Sequence, residues 1–155
     1  RTKLYVTRKE ASSRKIINES DLIDELKSKN FQIINTENMS INEQINIFSS
    51  ADIIISSTGS ALANIVFCKE GTKIIEIIPK YNFDYENIFK KRYSDICDQL
   101  NLIYSFLEAD PIKNDKIDQN SEKYKFISSD VIHNSNYYKN LLVKKNEFKK
   151  LIDKF

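Results

Sequence analysis

The chain has 155 residues, of which 41% are apolar and 30% charged, and its net charge is +2 at neutral pH. This composition is typical of a single globular domain. The small net charge gives no support to a nucleic-acid-binding protein, and no apolar run approaches the ~20 residues of a membrane-spanning helix.

The first part of the chain alternates predicted strands with predicted helices. Residues 3–7 are rich in β-forming side chains and predict a strand, which is followed by a polar loop over 8–19. Apolar residues at helical spacing then predict a helix within 20–30. The short apolar run at 31–35 predicts a second, buried strand.

The middle of the chain carries clearer signals. Ser40 and Glu43 have the S-x-x-E spacing of a capping box, in which each side chain bonds the backbone amide of the other residue, so a helix is predicted to begin there. The continuous apolar run at 52–56 is typical of a central parallel strand covered on both faces. It leads through Gly59, one of the two glycines in the chain, into a short predicted helix at about 61–67.

The second half continues the same alternation. Residues 73–79 predict a strand that ends at proline, and apolar residues at helical spacing over 85–100 predict a long amphipathic helix. Residues 102–107 predict a further strand. The polar stretch 110–123 has no period and predicts a mobile loop. Apolar residues at helical spacing predict a C-terminal helix over 136–154.

Together these elements predict one α/β domain over 1–155, a Rossmann-like, doubly wound parallel sheet. Ligands of such sheets bind outside the carboxyl ends of the strands. The sequence begins in a predicted strand without an initiator methionine, so we expect it to be a fragment of a longer protein.

The turn after the third strand is a candidate anion site. Gly59 allows a sharp turn and the close approach of a ligand, and Ser60 is predicted to cap the helix that follows. The unpaired amides of Gly59, Ser60 and Ala61 lie at the positive end of the helix dipole, and Thr58 adds a hydroxyl. A plain strand-to-helix turn is the alternative.

Charged residues at two other strand ends extend this candidate site. Arg8 and Arg14 follow the first strand, and guanidinium groups bind phosphate by parallel hydrogen bonds, so the pair would suit a diphosphate. Each of them could equally be a solvated surface charge. Glu76 lies within a buried strand, where it would form a salt bridge to Arg8 or a lysine, or bind the hydroxyls of a sugar or ribose.

Several other classes of protein fit the sequence poorly. Cys68 and Cys97 lie far apart and are predicted to be reduced core thiols, which favours a cytosolic setting. The single histidine, His133, argues against a zinc site or a Ser-His-Asp triad. The first strand ends in the basic residues at 8–9 rather than in acids, unlike a receiver domain, and no glycine-rich turn of a dehydrogenase or methyltransferase follows it.

The order of motifs over residues 3–80 resembles the C-terminal half of the family 61 glycosyltransferases. The family pattern runs R-x-I-x-N-E, then S-x-x-E-Q, then H-G-A-x-L-x-N-x-x-F, then a glycine before x-I-E. The matching residues are Arg14, Asn18, Glu19, Ser40, Glu43, Gln44, Gly59, Leu62, Asn64, Phe67, Gly71 and Glu76. Thr58 stands where the family has histidine, and Ser60 where it has alanine.

The resemblance implies the C-terminal domain of an inverting GT-B glycosyltransferase that holds a UDP- or other NDP-sugar without a metal ion or other cofactor. It also implies a glycan acceptor and a general base on an absent N-terminal domain, so this fragment alone would be inactive. Bacterial members are commonly linked to capsular or other surface polysaccharides, so we expect such a role for this chain, in the cytoplasm or at the inner face of the membrane. Thr58 would give the leaving group only a hydrogen bond. A non-catalytic protein-interaction or degenerate nucleotide-binding module is the alternative.

Overall fold

The structure, a computed structural model, describes residues 1–113 and 125–155. The strands in the described residues are β1 (Lys3–Val6), β2 (Phe31–Ile34), β3 (Ile53–Ser57), β4 (Lys73–Pro79), β5 (Ile103–Pro111) and β6 (Leu141–Leu142). They form one six-stranded sheet in the order β2-β1-β3-β4-β5-β6. The pairings among β1 to β5 are parallel, and β6 pairs antiparallel with β5.

Helices cover both faces of this sheet. The α-helices are α1 (Glu19–Ser28), α2 (Ile41–Ser50), α3 (Asn87–Gln99), α4 (Ser129–Asn134) and α5 (Lys145–Ile152), and a 3-10 helix spans Ser60–Phe67. Buried residues of α1 and α5 pack on one face, and those of α2, the 3-10 helix and α3 pack on the other. The predicted α/β class with a mostly parallel sheet is confirmed. None of the described helices has the length and hydropathy needed to cross a bilayer.

The sequence patterns explain these elements directly. The apolar run in β3 is buried on both faces, because Ile53 and Ile55 pack toward α1 while Ile54 packs toward α2. The capping box is confirmed at the start of α2: the Ser40 amide donates to Glu43 Oε2 at 2.7 Å, and the Glu43 amide donates to Ser40 Oγ at 3.3 Å. These reciprocal bonds satisfy two amides that the helix itself leaves unpaired.

The strand order places the candidate site. β1 lies between β2 and β3, and the chain leaves β1 toward one edge of the sheet but leaves β3 toward the other. The connections after β1 and β3 therefore diverge at their carboxyl ends, and in doubly wound sheets that divergence opens the crevice in which ligands bind.

The C-terminal helix predicted over 136–154 is wrong in its first part. Helix α5 spans only Lys145–Ile152, and a 3-10 turn at Asn136–Tyr138 and strand β6 precede it. The backbone of Leu141 is extended because it exchanges hydrogen bonds with Lys15 and Ile17 near the other end of the chain. Those long-range bonds compete with the helix that the local spacing predicts.

The loop predicted over 110–123 also begins too early. Asp110 and Pro111 belong to β5, because the ladder with β4 continues to Ala109 and the next two residues pair with β6. The rest of the predicted loop lies mostly outside the described residues, which stop at 113 and resume at 125.

Helix α5 should contribute strongly to stability. Phe148 is fully buried between α5 and the sheet, so Phe148→Ala should lower the free energy of unfolding by about 3–5 kcal/mol. Lys150→Ala on the exposed side of the same helix is the control and should change it by less than about 0.5 kcal/mol. Urea unfolding followed by circular dichroism measures both, and equal effects would contradict the packing of α5 on the sheet.

Candidate functional site

The two predicted phosphate-binding loops meet at the carboxyl edge of the sheet. The Ser57 hydroxyl, at the end of β3, donates a hydrogen bond of 2.9 Å to the backbone carbonyl of Arg14 in the loop after β1. The Arg8 guanidinium lies directly against Gly59. The structure therefore brings the predicted residues of both loops together at one edge.

Gly59 is required by the close approach of Arg8. A Cβ atom added to Gly59 would lie 2.8 Å from Arg8 Cζ and closer still to Arg8 Nη1. Arg8 is only 8% exposed, and its Nη2 donates to the carbonyl oxygen of Ser13 at 3.3 Å. Glycine at this position thus lets a buried guanidinium pack on bare backbone.

The helix after Gly59 begins one residue earlier than predicted and is a 3-10 helix. Gly59 occupies the N-cap position, and Ser60, predicted to be the cap, is the first helical residue and is exposed. The first backbone bond of this turn runs from the Leu62 amide to the Gly59 carbonyl at 3.0 Å. Within the described chain, the amides of Gly59, Ser60 and Ala61 donate to no other backbone group, so they remain available to an anion.

A small polar cavity lies in front of these amides. Its volume is about 180 Å³, below the roughly 300–1,000 Å³ typical of pockets for drug-sized ligands, so it would hold part of a ligand. The residues that line it are mainly polar: Thr7, Arg8, Asn35, Thr36, Glu37, Gln44, Ser60, Ala61 and Asn64.

Arg14 carries a buried positive charge. It is 6% exposed, and its guanidinium lies 4.5 Å from the centre of the Tyr137 ring. In the described part of the chain no carboxylate pairs with it, and its Nε donates no hydrogen bond. Its φ of 58° lies in the left-handed region, which β-carbon-bearing residues rarely adopt. Burial of an unneutralised charge is costly unless an anion completes the site.

Asn18 and Glu19 hold the loop after β1 in place. The Glu19 carboxylate accepts hydrogen bonds from the hydroxyls of Tyr5 and Thr7, each at 2.8 Å. The Asn18 side chain donates to the Val143 carbonyl at 2.8 Å and accepts from the Val143 amide at 3.1 Å. Both residues therefore act as ties that fix the loop between its own strand and the C-terminal segment.

Gln44 and Asn64 form a second tie. Gln44 Nε2 donates to the carbonyls of Thr36 and Met39, and Asn64 Nδ2 donates to Gln44 Oε1 at 2.8 Å. Asn64 thus joins the 3-10 helix to α2, and Gln44 extends this tie to the turn after β2.

Glu76 is fully buried beside Thr58. Its Oε2 accepts a hydrogen bond of 2.7 Å from the Tyr104 hydroxyl. Burial raises the pKa of Glu76, while Thr58, Tyr104 and the positive charge of Arg92 oppose that rise. Thr58 is close enough to lower this pKa, but its Oγ1 forms no hydrogen bond with Glu76 by distance and angle. Thr58 Oγ1 and Glu76 Oε1 are therefore both buried without a hydrogen-bond partner among the described residues.

Sequence reasoning missed three residues that surround this site. Arg92 on α3 donates to the Tyr137 hydroxyl at 2.9 Å, and the Tyr93 hydroxyl donates to the Gly59 carbonyl at 2.6 Å. Tyr137 and Tyr93 lie far in sequence from Arg14 and Gly59, the loop residues that they contact, and Arg92 reaches the site only through these two tyrosines. The local signal for them is the row of aromatic residues on one face of the helix predicted over 85–100.

The class of protein follows from this geometry: an α/β domain whose carboxyl edge gathers buried positive charge beside unpaired amides. A family model described as Glycosyltransferase 61 matches residues 1–75, which include both loops. The match confirms the predicted resemblance to this family over residues 1–75. No curated protein matches the chain.

The two glycines provide a matched test of the Arg8 contact. Gly59→Ala should displace the Arg8 guanidinium and weaken the binding of inorganic pyrophosphate by about 1.5–3 kcal/mol, the usual worth of a charge-assisted hydrogen bond. Gly71→Ala also places alanine at positive φ but meets no atom within 4 Å. It should lose some stability and keep its affinity. Calorimetric titration measures both, and equal affinities in the two variants would contradict the role given to Gly59.

Glu76 should make stability fall as the pH rises. Burial raises the pKa of Glu76 in the folded state above the ordinary value of 4.5, so the native state binds the proton more tightly than the unfolded state does. The free energy of unfolding therefore falls as the pH rises from the unfolded pKa through the folded pKa. Glu76→Gln keeps an acceptor for Tyr104 and does not ionise. Its stability relative to the wild type, measured by urea unfolding, should therefore improve as the pH rises above 4.5.

Glu43→Gln is the control with the opposite sign. Hydrogen bonds from Ser40 lower the pKa of the exposed Glu43 carboxyl, so the wild type should gain stability relative to this variant as the pH rises. The same pH trend in both variants would contradict the environment described for Glu76.

Proposed function

We propose that this chain is the donor-binding, C-terminal domain of a GT-B glycosyltransferase that uses a UDP- or other NDP-sugar. The observation that carries the proposal is Arg14, a buried guanidinium with no carboxylate partner in the described chain. A diphosphate would supply the missing negative charge, since guanidinium and phosphate match in charge and in hydrogen-bond geometry.

The diphosphate would lie between the two loops. Arg8 shares the polar cavity with Ser60 and Ala61, so one phosphate there would meet its guanidinium and the first amides of the 3-10 helix, including that of Gly59. Arg14 would neutralise the second phosphate. Donors held in advance around a developing charge stabilise the departing diphosphate, and these groups would do so without a metal ion.

Thr58 and Glu76 would act at the sugar end of the donor. Both are fully buried, and each keeps one oxygen without a hydrogen-bond partner among the described residues. We assign Thr58 Oγ1 to a hydrogen bond with the leaving group and Glu76 Oε1 to hydroxyls of the sugar or ribose. Threonine donates a hydrogen bond but is not a proton donor at neutral pH, unlike the histidine of the family motif.

The reaction would be an inverting transfer of the sugar to a polysaccharide or glycan acceptor. Direct displacement requires a general base at the acceptor hydroxyl, and we place that base and the acceptor site on an N-terminal domain. The chain as given would then bind a donor without turning it over. We assign the enzyme to capsular or surface polysaccharide synthesis in a bacterium, in the cytoplasm or at the inner face of the membrane.

Calorimetric titration with UDP, GDP and CMP tests this function. We expect a diphosphate to bind, with affinity lowered by ~1.5–3 kcal/mol in Arg14→Ala. Arg14→Lys should fall between that variant and the wild type, because lysine keeps the charge but not the paired geometry. Lys27→Ala, at an exposed position of α1, is the control, and this variant should bind the nucleotides as the wild type does.

Folded wild-type protein that binds none of the three nucleotides would contradict the donor-binding function and favour a non-catalytic interaction module. If Arg14→Ala binds the nucleotide as tightly as the wild type does, the diphosphate does not lie at the loop after β1.

A further inference from the structure

The segment 135–143, here called the C-terminal strap, crosses the carboxyl edge of the sheet and lies outside the region that matches the family model. One end is bonded to the loop after β1. The Lys15 amide donates to Asn140 Oδ1 at 2.9 Å, the Leu141 amide donates to the Lys15 carbonyl at 2.7 Å, and the Ile17 amide donates to the Leu141 carbonyl at 2.9 Å. Loop and strap are therefore joined by two backbone–backbone hydrogen bonds and by one bond to the Asn140 side chain.

The other end of the strap is fixed to the turn after β4. The Ser135 hydroxyl hydrogen-bonds the buried Glu86 carboxylate, which also accepts from the amides of Asn82 and Phe83 at 2.9 Å. Asn136 Nδ2 donates to the Lys80 carbonyl at 2.7 Å. The strap thus spans the distance between the ends of β4 and β1 with both of its ends anchored.

Tyr137 lies between these anchors and carries Arg14 on its ring. The Arg14 guanidinium is 4.5 Å from the ring centre, and Phe89 of α3 stacks on the same ring at 3.9 Å with an interplanar angle of 15°. Arg92 donates to the Tyr137 hydroxyl at 2.9 Å, and Tyr137 is only 7% exposed. The ring is therefore held on several sides.

We propose that Tyr137 is a positioning residue for Arg14, so that the C-terminal strap completes the phosphate-binding site formed by the family motifs. An aromatic face attracts a guanidinium without using its N–H donors or cancelling its charge. A carboxylate in the same place would hold the side chain but would compete with the ligand. The effect of Tyr137 on donor binding rests on the proposed function, whereas its effect on Arg14 does not.

Two variants separate the ring from its hydroxyl. Tyr137→Phe keeps the ring over Arg14 and loses only the bond to Arg92, whereas Tyr137→Leu removes the ring. In the wild type, the Arg14 side-chain protons should show upfield ring-current shifts in NMR spectra. These shifts should persist in Tyr137→Phe and disappear in Tyr137→Leu. Phe31→Leu, the loss of a buried aromatic ring at the amino end of β2, is the control for general loosening and should leave these shifts unchanged.

Titration with inorganic pyrophosphate and with UDP then tests the consequence. Tyr137→Leu should weaken both affinities about 5–30-fold, the range expected for a lost cation–π contact, and Tyr137→Phe should stay close to the wild type. Arg14 shifts that survive in Tyr137→Leu, or wild-type affinity in that variant, would overturn the role of Tyr137. Wild-type protein that binds neither ligand would overturn the proposed function, and the Arg14 shifts would still test the positioning contact.

Discussion

A buried guanidinium without an opposite charge is the constraint on which the carboxyl edge of this domain depends. Arg14 is 6% exposed, has no carboxylate partner among the described residues and adopts a left-handed backbone conformation. Such a backbone costs on the order of 1–3 kcal/mol, and an unneutralised buried charge costs more. The Ser57 hydroxyl, the Tyr137 ring and the ties through Asn18 hold this arrangement in place. Strain of this kind is typical of a binding site.

The residues of the family motifs fall into two groups in the structure: those that hold the loops in place and those that would contact a ligand. Most of the motif side chains bond the protein itself: Asn18 holds the C-terminal segment, Glu19 holds β1, and Gln44 and Asn64 join the turn after β2 to the 3-10 helix. Gly59 has no side chain and makes room for Arg8. The motifs therefore build two rigid loops, and the groups that would meet a phosphate are few: two guanidinium groups and the amides after β3.

The sequence predicts the parts of this fold that are set by local physics. The capping box at Ser40 and the buried runs of β3 and β4 depend on neighbouring residues, and all of them are confirmed. The extended strap around Leu141 and the extension of β5 through Pro111 depend on hydrogen bonds to distant strands. Local spacing therefore predicted a helix and a loop where the structure has strands.

The candidate site shows the same limit. Gly59, Arg8 and Arg14 follow predicted strands that are neighbours in a doubly wound sheet, so their proximity could be predicted from topology. The contact of Arg14 with Tyr137 joins residues more than a hundred positions apart, and no periodicity in the sequence marks it. Ser60 is predicted to be the cap because the helix is expected to begin at about 61, whereas the 3-10 helix begins at Ser60 itself and Gly59 is the cap.

Structure determination of the domain with UDP bound tests the central claim most directly. We expect the diphosphate to lie between the loops after β1 and β3, with phosphate oxygens within hydrogen-bond distance of the Arg14 guanidinium and of the Ser60 or Ala61 amide. A nucleotide bound at any other edge of the sheet, with Arg14 still covered by protein alone, would contradict it.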